Sequence, residues 1–227
     1  MKQYLYETHL HTYPVSKCAR ASVRETLEFY KEMGYDGVFI TNHFIDGNIN
    51  CDKTLSYEEK INFYFSDYEQ GLEMADEIGI KVFFGVELSY QGTDFLAYGL
   101  TKEWFLAHGE LEELKMSKKL KCLADAGALI IQAHPFREAS YIDHIQLFPR
   151  FIHGVEVYNA CRTEFENEMA EHYADSYGLI HFAGSDNHSA DAQMRLGGMC
   201  SDTPITDEND FVNRILNGEM EIFSIAR

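Results

Sequence analysis

A helix-forming stretch, a glycine, a short apolar run and a ligand-type side chain follow one another four times along this chain. Val23, Leu27, Tyr30 and Met33 supply the apolar face of a first helix, which Ser22 and Glu25 can cap and Gly34 closes; Val38-Phe39-Ile40 then leads to Thr41-Asn42-His43. After a polar loop from Phe44 to Leu55, Ser56 and Glu59 open a second helix running to about Ile78, Gly79 ends it, and Ile80-Lys81-Val82-Phe83-Phe84 precedes Glu87. The third unit is a helix from about Met116 to Ala126, then Gly127, Ala128-Leu129-Ile130-Ile131 and His134-Pro135. The fourth is a helix from Thr163 to Tyr177, then Gly178, Leu179-Ile180-His181-Phe182 and Asp186-Asn187-His188. Glycine suits the left-handed position just past a helix, and apolar runs without alternation suit strands covered on both faces.

Around these units lie a first strand, Tyr4-Leu5-Tyr6, that leads into His9-Leu10-His11, and another, Gly154-Val155-Glu156-Val157-Tyr158, that precedes Asn159. Tyr90 to Tyr98 reads as an extended excursion, and the tail as a helix from about Glu208 to Leu216 followed by Gly218 and Ile222, Phe223 and Ile225. Six or seven strand-helix units predict a closed or nearly closed α/β barrel, not an open doubly wound sheet. No glycine-rich nucleotide loop accompanies them.

Composition narrows the setting. With 227 residues, 45% of them hydrophobic, residues 1–227 are expected to form a single barrel domain with a sizeable core. A net charge of −18 disfavours long nucleic acid, whose phosphates call for Lys and Arg surfaces. No basic region precedes an apolar run at the N-terminus, and no apolar stretch approaches the roughly eighteen residues of a membrane span, so a cytoplasmic address without membrane insertion is expected. Cys18, Cys51, Cys122, Cys161 and Cys200 are odd in number and lack C-x-x-C spacing, which suits reduced thiols.

In a parallel α/β barrel the C-terminal ends of the strands meet on one rim. Here those ends carry His9, His11, His43, Glu87, His134, Asp186 and His188, five of the ten histidines among them. His108, His144, His153, His172 and His181 fall elsewhere and read as structural or surface residues. Crowded carboxylates and imidazoles are costly to desolvate unless a cation takes up their lone pairs. Mixed nitrogen and oxygen donors suit Zn, Mn or Fe better than Ca, and seven groups exceed the needs of one ion, so two or three divalent metal ions are expected, with Glu87 able to bridge.

His9-Leu10-His11, Asn42-His43, Glu87, His134-Pro135 and Gly184-Ser185-Asp186-Asn187-His188 resemble, in order, the motifs of the PHP (polymerase and histidinol phosphatase) domain. The resemblance implies a distorted (β/α)7 TIM-like barrel that holds two or three divalent metals and hydrolyses phosphoesters. It implies that His9, His11, Glu87 and Asp186 hold one metal, Glu87 and His134 a second, and His43 and His188 a third. Asp94 stands where members often have a further His and is carried as a ligand; Ser16-Lys17-Cys18 stands where a full third site has a His or acid, and Asn42 where an Asp is common. The expected activity is hydrolysis of a small phosphate monoester by metal-activated water. Arg20, Arg137, Arg162 and Arg195, just beyond strand ends, are candidate phosphate clamps, since Arg grips phosphate bidentately. Glu156 and Asn159 also lie on the rim. A metal-dependent amidohydrolase, a small nucleotide-directed phosphodiesterase and a non-catalytic metal-bound module are the alternatives.

Overall fold

The computed structural model describes residues 2–190 and 195–226. Among them are nine strands: β1 (Tyr4–Leu10), β2 (Gly37–Ile40), β3 (Lys81–Tyr90), β4 (Thr93–Tyr98), β5 (Leu129–Ala133), β6 (Gly154–Asn159), β7 (Ile180–Gly184), β8 (Arg195–Ser201) and β9 (Glu221–Ala226). The helices are α1 (Val23–Glu32), α2 (Tyr57–Ile78), α3 (Lys102–Leu106), α4 (Met116–Asp125), α5 (Glu164–Tyr177) and α6 (Glu208–Leu216). Ser22 with Glu25, Ser56 with Glu59 and Thr163 with Glu166 form reciprocal capping boxes, each satisfying amide donors that a helix start leaves unpaired. Gly79 and Gly178 end α2 and α5 in the left-handed conformation, at φ 76° and 66°.

The strands form one sheet in the order β7-β6-β5-β4-β3-β2-β1-β8-β9. It curls until β7 meets β1: Leu10 bridges Asn187 in parallel, the His11 amide donates to the Asn187 carbonyl (2.9 Å), and the Asp186 amide to that of His9 (2.7 Å). The far edge of β1 is therefore shared, with antiparallel β8 along Tyr4 to Tyr6 and the continuation of β7 at its end. This is the expected distorted α/β barrel, with two differences. The excursion after Glu87 is a barrel strand, β4, antiparallel to both β3 and β5 and reached through a tight turn with Gln91 and Gly92 at positive φ. The β8–β9 hairpin adds a second antiparallel element.

Inside the barrel Tyr6, Phe39, Phe83, Tyr98 and Phe182, closed from below by Phe211 of α6, build a buried aromatic floor. Phe39 lies 4.9 Å from Phe83 and 4.3 Å from Phe211, centroid to centroid. Burying rings of this size contributes roughly 1.5–3 kcal/mol each. The floor leaves only the opposite rim open to ligands. A bulge in β1 between Glu7 and Leu10 puts one extra residue opposite β2, so Tyr6 joins the floor and His9 the rim although they stand an odd number of positions apart.

Candidate metal centre

At the open rim the seven strand-end residues of the eight predicted ligands converge, each less than a third exposed. His9 Nε2 lies 3.2 Å from Glu87 Oε1 and 3.5 Å from Asp186 Oδ1; His11 Nε2 lies 3.4 Å from Asp186 Oδ1 and 3.3 Å from His9 Nε2. His134 Nε2 stands 3.4 Å from Glu87 Oε1, and His43 Nδ1 abuts Glu87 Oε2 at 2.6 Å. At this rim three triads have ligand atoms close enough to share one ion: His9, His11 and Asp186; His9, Glu87 and His134; His11, His43 and His188; a fourth such group, His108, Glu110 and Cys122, lies outside the predicted set. Apart from the contacts of the rim groups among themselves, both oxygens of Glu87 and both ring nitrogens of His134 are buried without a hydrogen-bond partner. Orphaned lone pairs at this density are what a cation would satisfy, so the donor set fits the divalent ions implied above.

The ligands are held by a surrounding frame. Glu156, fully buried on β6, sets Oε1 2.9 Å from His9 Nδ1 and accepts the His134 amide and the Asn159 side-chain amide on Oε2. This is the carboxylate–histidine arrangement that fixes a ligand's tautomer, leaving Nε2 for the site. Ser16 plays the corresponding part for His11, with Oγ 3.2 Å from Nδ1, while accepting from the His43 amide and donating to Asn42 Oδ1. Asn42 accepts the Thr12 amide and donates to Asp67, a buried carboxylate of α2. One oxygen of Glu7 takes the amides of Thr8, His9 and Ser185, tying β1 to β7 directly beneath the ligands. His134 and Asp186 take positive φ (27° and 56°), a strained choice for non-glycine residues and one that cradles of this kind impose.

Charge is unevenly shared. Burial opposes ionisation throughout, yet Glu156 and Asp186 hold the His9 pKa well above the usual value, and His43 and His11 hold that of Glu87 well below its own. Burial, with His188 and His43 beside it, presses His11 down. Against the cost of burial, His188 and His43 bring the Cys18 thiol down to about 6.

A cavity of 670 Å³ opens beside these groups, lined by His43, Glu87, Asp94, Asp186 and His188 and by Arg137 and Arg162. Asp94 is buried in it but enters none of the triads: Oδ2 pairs with Arg137 Nη2 at 2.8 Å and stays 3.9 Å from His134 Nε2. Its geometry suits holding Arg137 in place. Nε of both Arg137 and Arg162 is buried with no hydrogen-bond partner. The other two candidate arginines do not reach the cavity. Arg20 is exposed; its backbone amide, not its guanidinium, meets the site by donating to the His188 carbonyl. Arg195 opens β8 and donates to the Arg162 carbonyl, and its guanidinium lines a separate hollow with Tyr158 and Glu168. Its assignment as a phosphate clamp is corrected on that ground.

The fold is thus a seven-stranded core barrel with a rim rich in histidines and carboxylates. A family model described as PHP-associated matches residues 164–220. A two-domain protein from Bacteroides vulgatus, containing a predicted PHP-like metal-dependent phosphoesterase, superposes with a TM-score of 0.68 at 14% identity, over 98% of this chain and 65% of that one. This chain thus spans less than two thirds of that relative. PsfC from Pseudomonas syringae superposes with a TM-score of 0.60 at 15% identity, over 100% of this chain and 93% of that one. An amidohydrolase from Chromobacterium violaceum, with sulfate bound and no metal, gives 0.57 at 13% identity, over 95% and 97%. No curated protein matches the chain in sequence. The resemblance read from the motifs is borne out: the chain has the PHP-type fold.

Proposed function

We propose that the protein is a metal-dependent hydrolase of small phosphate monoesters. His9, His11 and Asp186 would hold one divalent ion, Glu87 and His134 a second, and His43 and His188 a third. Ions bound there supply Lewis acidity toward a phosphoryl oxygen and acidify water. The chain's own part is to orient and to bind. Glu156 and Ser16 present the Nε2 atoms of His9 and His11 to the site. Arg137, anchored by Asp94, and Arg162 offer donors to the substrate's phosphoryl oxygens.

The observation that carries this reading is that Arg137 and Arg162, each left with an unpartnered guanidinium donor, line the same cavity as the buried carboxylate of Glu87. Donors of that kind are costly to leave unmatched, and a dianionic phosphoryl group matches them where a neutral amide does not. The net charge of −18 favours a substrate of small size over a polymer of phosphates. Five free cysteines fit a reducing, cytoplasmic setting, and among the described residues no helix is long and apolar enough to cross a membrane.

The test is a phosphate-release panel of sugar phosphates, nucleotides and alkyl phosphates, run beside phosphodiesters, lactams and nucleobase amines. Metal-dependent release of phosphate from monoesters, abolished together with metal content in Asp186→Ala, is expected. Turnover of an amide or amine with no phosphate release would turn the assignment to an amidohydrolase.

A further inference from the structure

The third triad is short of a ligand. A neutral imidazole has one lone pair to give, and on His11 it is committed: Nδ1 carries the proton toward Ser16 Oγ, and Nε2 points between Glu87 and Asp186, 3.5 and 3.4 Å away. An ion at His43 and His188 is then left with two protein ligands, fewer than the three or four usual for zinc or its neighbours.

A fourth side chain stands at that place. Cys18 Sγ lies 3.2 Å from His43 Nε2, and His188 is its other hydrogen-bonding neighbour. Cys18, His43 and His188 line the same cavity. The two imidazoles are turned so that Nε2 is the free atom of each: His188 Nδ1 is tied to the Asp186 carbonyl at 2.9 Å, and His43 Nδ1 abuts the Glu87 carboxylate at 2.6 Å. The loop that brings the cysteine there is built, not loose. Its backbone bonds Lys17 to Asn48, Asn50 to Val15 and Arg20 to His188, all within 3.0 Å.

Building on the metal-dependent reading above, we propose that Cys18 is the third protein ligand of an ion held by His43 and His188. The site is thus a centre of one thiolate and two imidazoles with at least one open position, biased toward zinc. Thiolate is a soft donor and favours zinc, whereas the oxygen and nitrogen donors of the other two triads accept Mn or Fe as well. The centre therefore differs in metal preference from its neighbours a few ångströms away, and it alone is open to oxidation at sulfur.

The test uses the full chain, metal-stripped and reloaded with cobalt or zinc. Cobalt-loaded wild type is expected to show a near-ultraviolet thiolate-to-cobalt charge-transfer band that disappears in Cys18→Ala and Cys18→Ser and persists in Cys161→Ser. Elemental analysis is expected to find one zinc equivalent fewer in Cys18→Ala, or binding at least about tenfold weaker at that site. Cys18→Asp is expected to restore the equivalent without the band, which separates a ligand from a residue that merely packs. Full cobalt loading with no thiolate band, or a band that survives Cys18→Ala, overturns the proposal and leaves metal-dependent hydrolysis standing. Wild type that takes up no divalent ion overturns both.

Discussion

Replacing Glu156 by Gln tests whether the rim is a tuned metal centre or only a crowded one. The carboxylate is fully buried and has each oxygen engaged, Oε1 with His9 Nδ1 at 2.9 Å, Oε2 with the His134 amide at 3.0 Å and the Asn159 side chain at 2.9 Å. Glutamine has the same shape but one acceptor and one donor. If its oxygen stays with His134 and Asn159, its NH2 faces His9 Nδ1. His9 then moves its proton to Nε2, and the lone pair that points between Glu87 and Asp186 is lost. If the amide turns round, two donors of the frame are left facing NH2, at about 1–3 kcal/mol each. Either way, loss of such an orienting carboxylate costs about 10–100-fold in metal affinity, or about 1.4–2.7 kcal/mol. The assay is competition with a chromophoric chelator on metal-stripped protein, with thermal unfolding of the metal-free form as a control for folding. Metal affinity within twofold of wild type in a folded variant would refute the orienting role.

Three further outcomes are expected. Arg162→Ala and Arg137→Ala each remove a charge-assisted contact worth about 1.5–3 kcal/mol, so kcat/KM for a monoester should fall about 10–100-fold with metal content unchanged, while Arg20→Ala should stay near wild type; equal losses in all three would argue against a localised phosphate grip. Asp94→Asn should weaken substrate binding by loosening Arg137 while all metal equivalents remain, and loss of a metal equivalent would instead make Asp94 a ligand. Burial, only partly offset by hydrogen bonds from Ser185 and His9, pushes Glu7 up to about 7 from the ordinary 4.5. Between those values the folded chain keeps a proton that the unfolded chain has released, so stability from this group is full below pH 4.5 and declines as pH rises to 7, by at most about 3 kcal/mol. Glu7→Gln should flatten that slope in urea unfolding measured at about pH 5 and about pH 7.5, and identical slopes would remove Glu7 as its source.

Much of this centre is legible in the chain because strand ends in a barrel converge whatever lies between them. A His-x-His after an apolar run, a glutamate after Phe83-Phe84 and Asp186-Asn187-His188 after Ile180 are local patterns, and the fold turns them into neighbours. Helix limits follow the capping boxes and glycines to within a residue or two. What escapes is set by long-range pairing. Nothing near Glu7 or Leu10 signals the bulge that separates the course of Tyr6 from that of His9, because it depends on register against β2. β8 hides behind Gly197 and Gly198, poor strand formers that the structure requires: a Cβ on Gly198 would lie 2.0 Å from the Tyr6 carbonyl oxygen. With β8 unseen, Arg195 looks like a rim residue. Asp94 looks like a ligand by position, and only the hairpin geometry of β4 hands it to Arg137. The anchoring of His11 through Ser16, Asn42 and Asp67 joins residues from three segments and leaves no local trace.

The most direct measurement is the metal content of purified wild-type protein by elemental analysis, before and after exhaustive chelation, with phosphate release from a monoester followed on the same samples. At least two divalent ions per chain, lost on chelation along with turnover and recovered with it on adding zinc or manganese, is the predicted result. Protein that stays metal-free in their presence, or releases phosphate equally well without them, would contradict the reading of the rim as a metal centre.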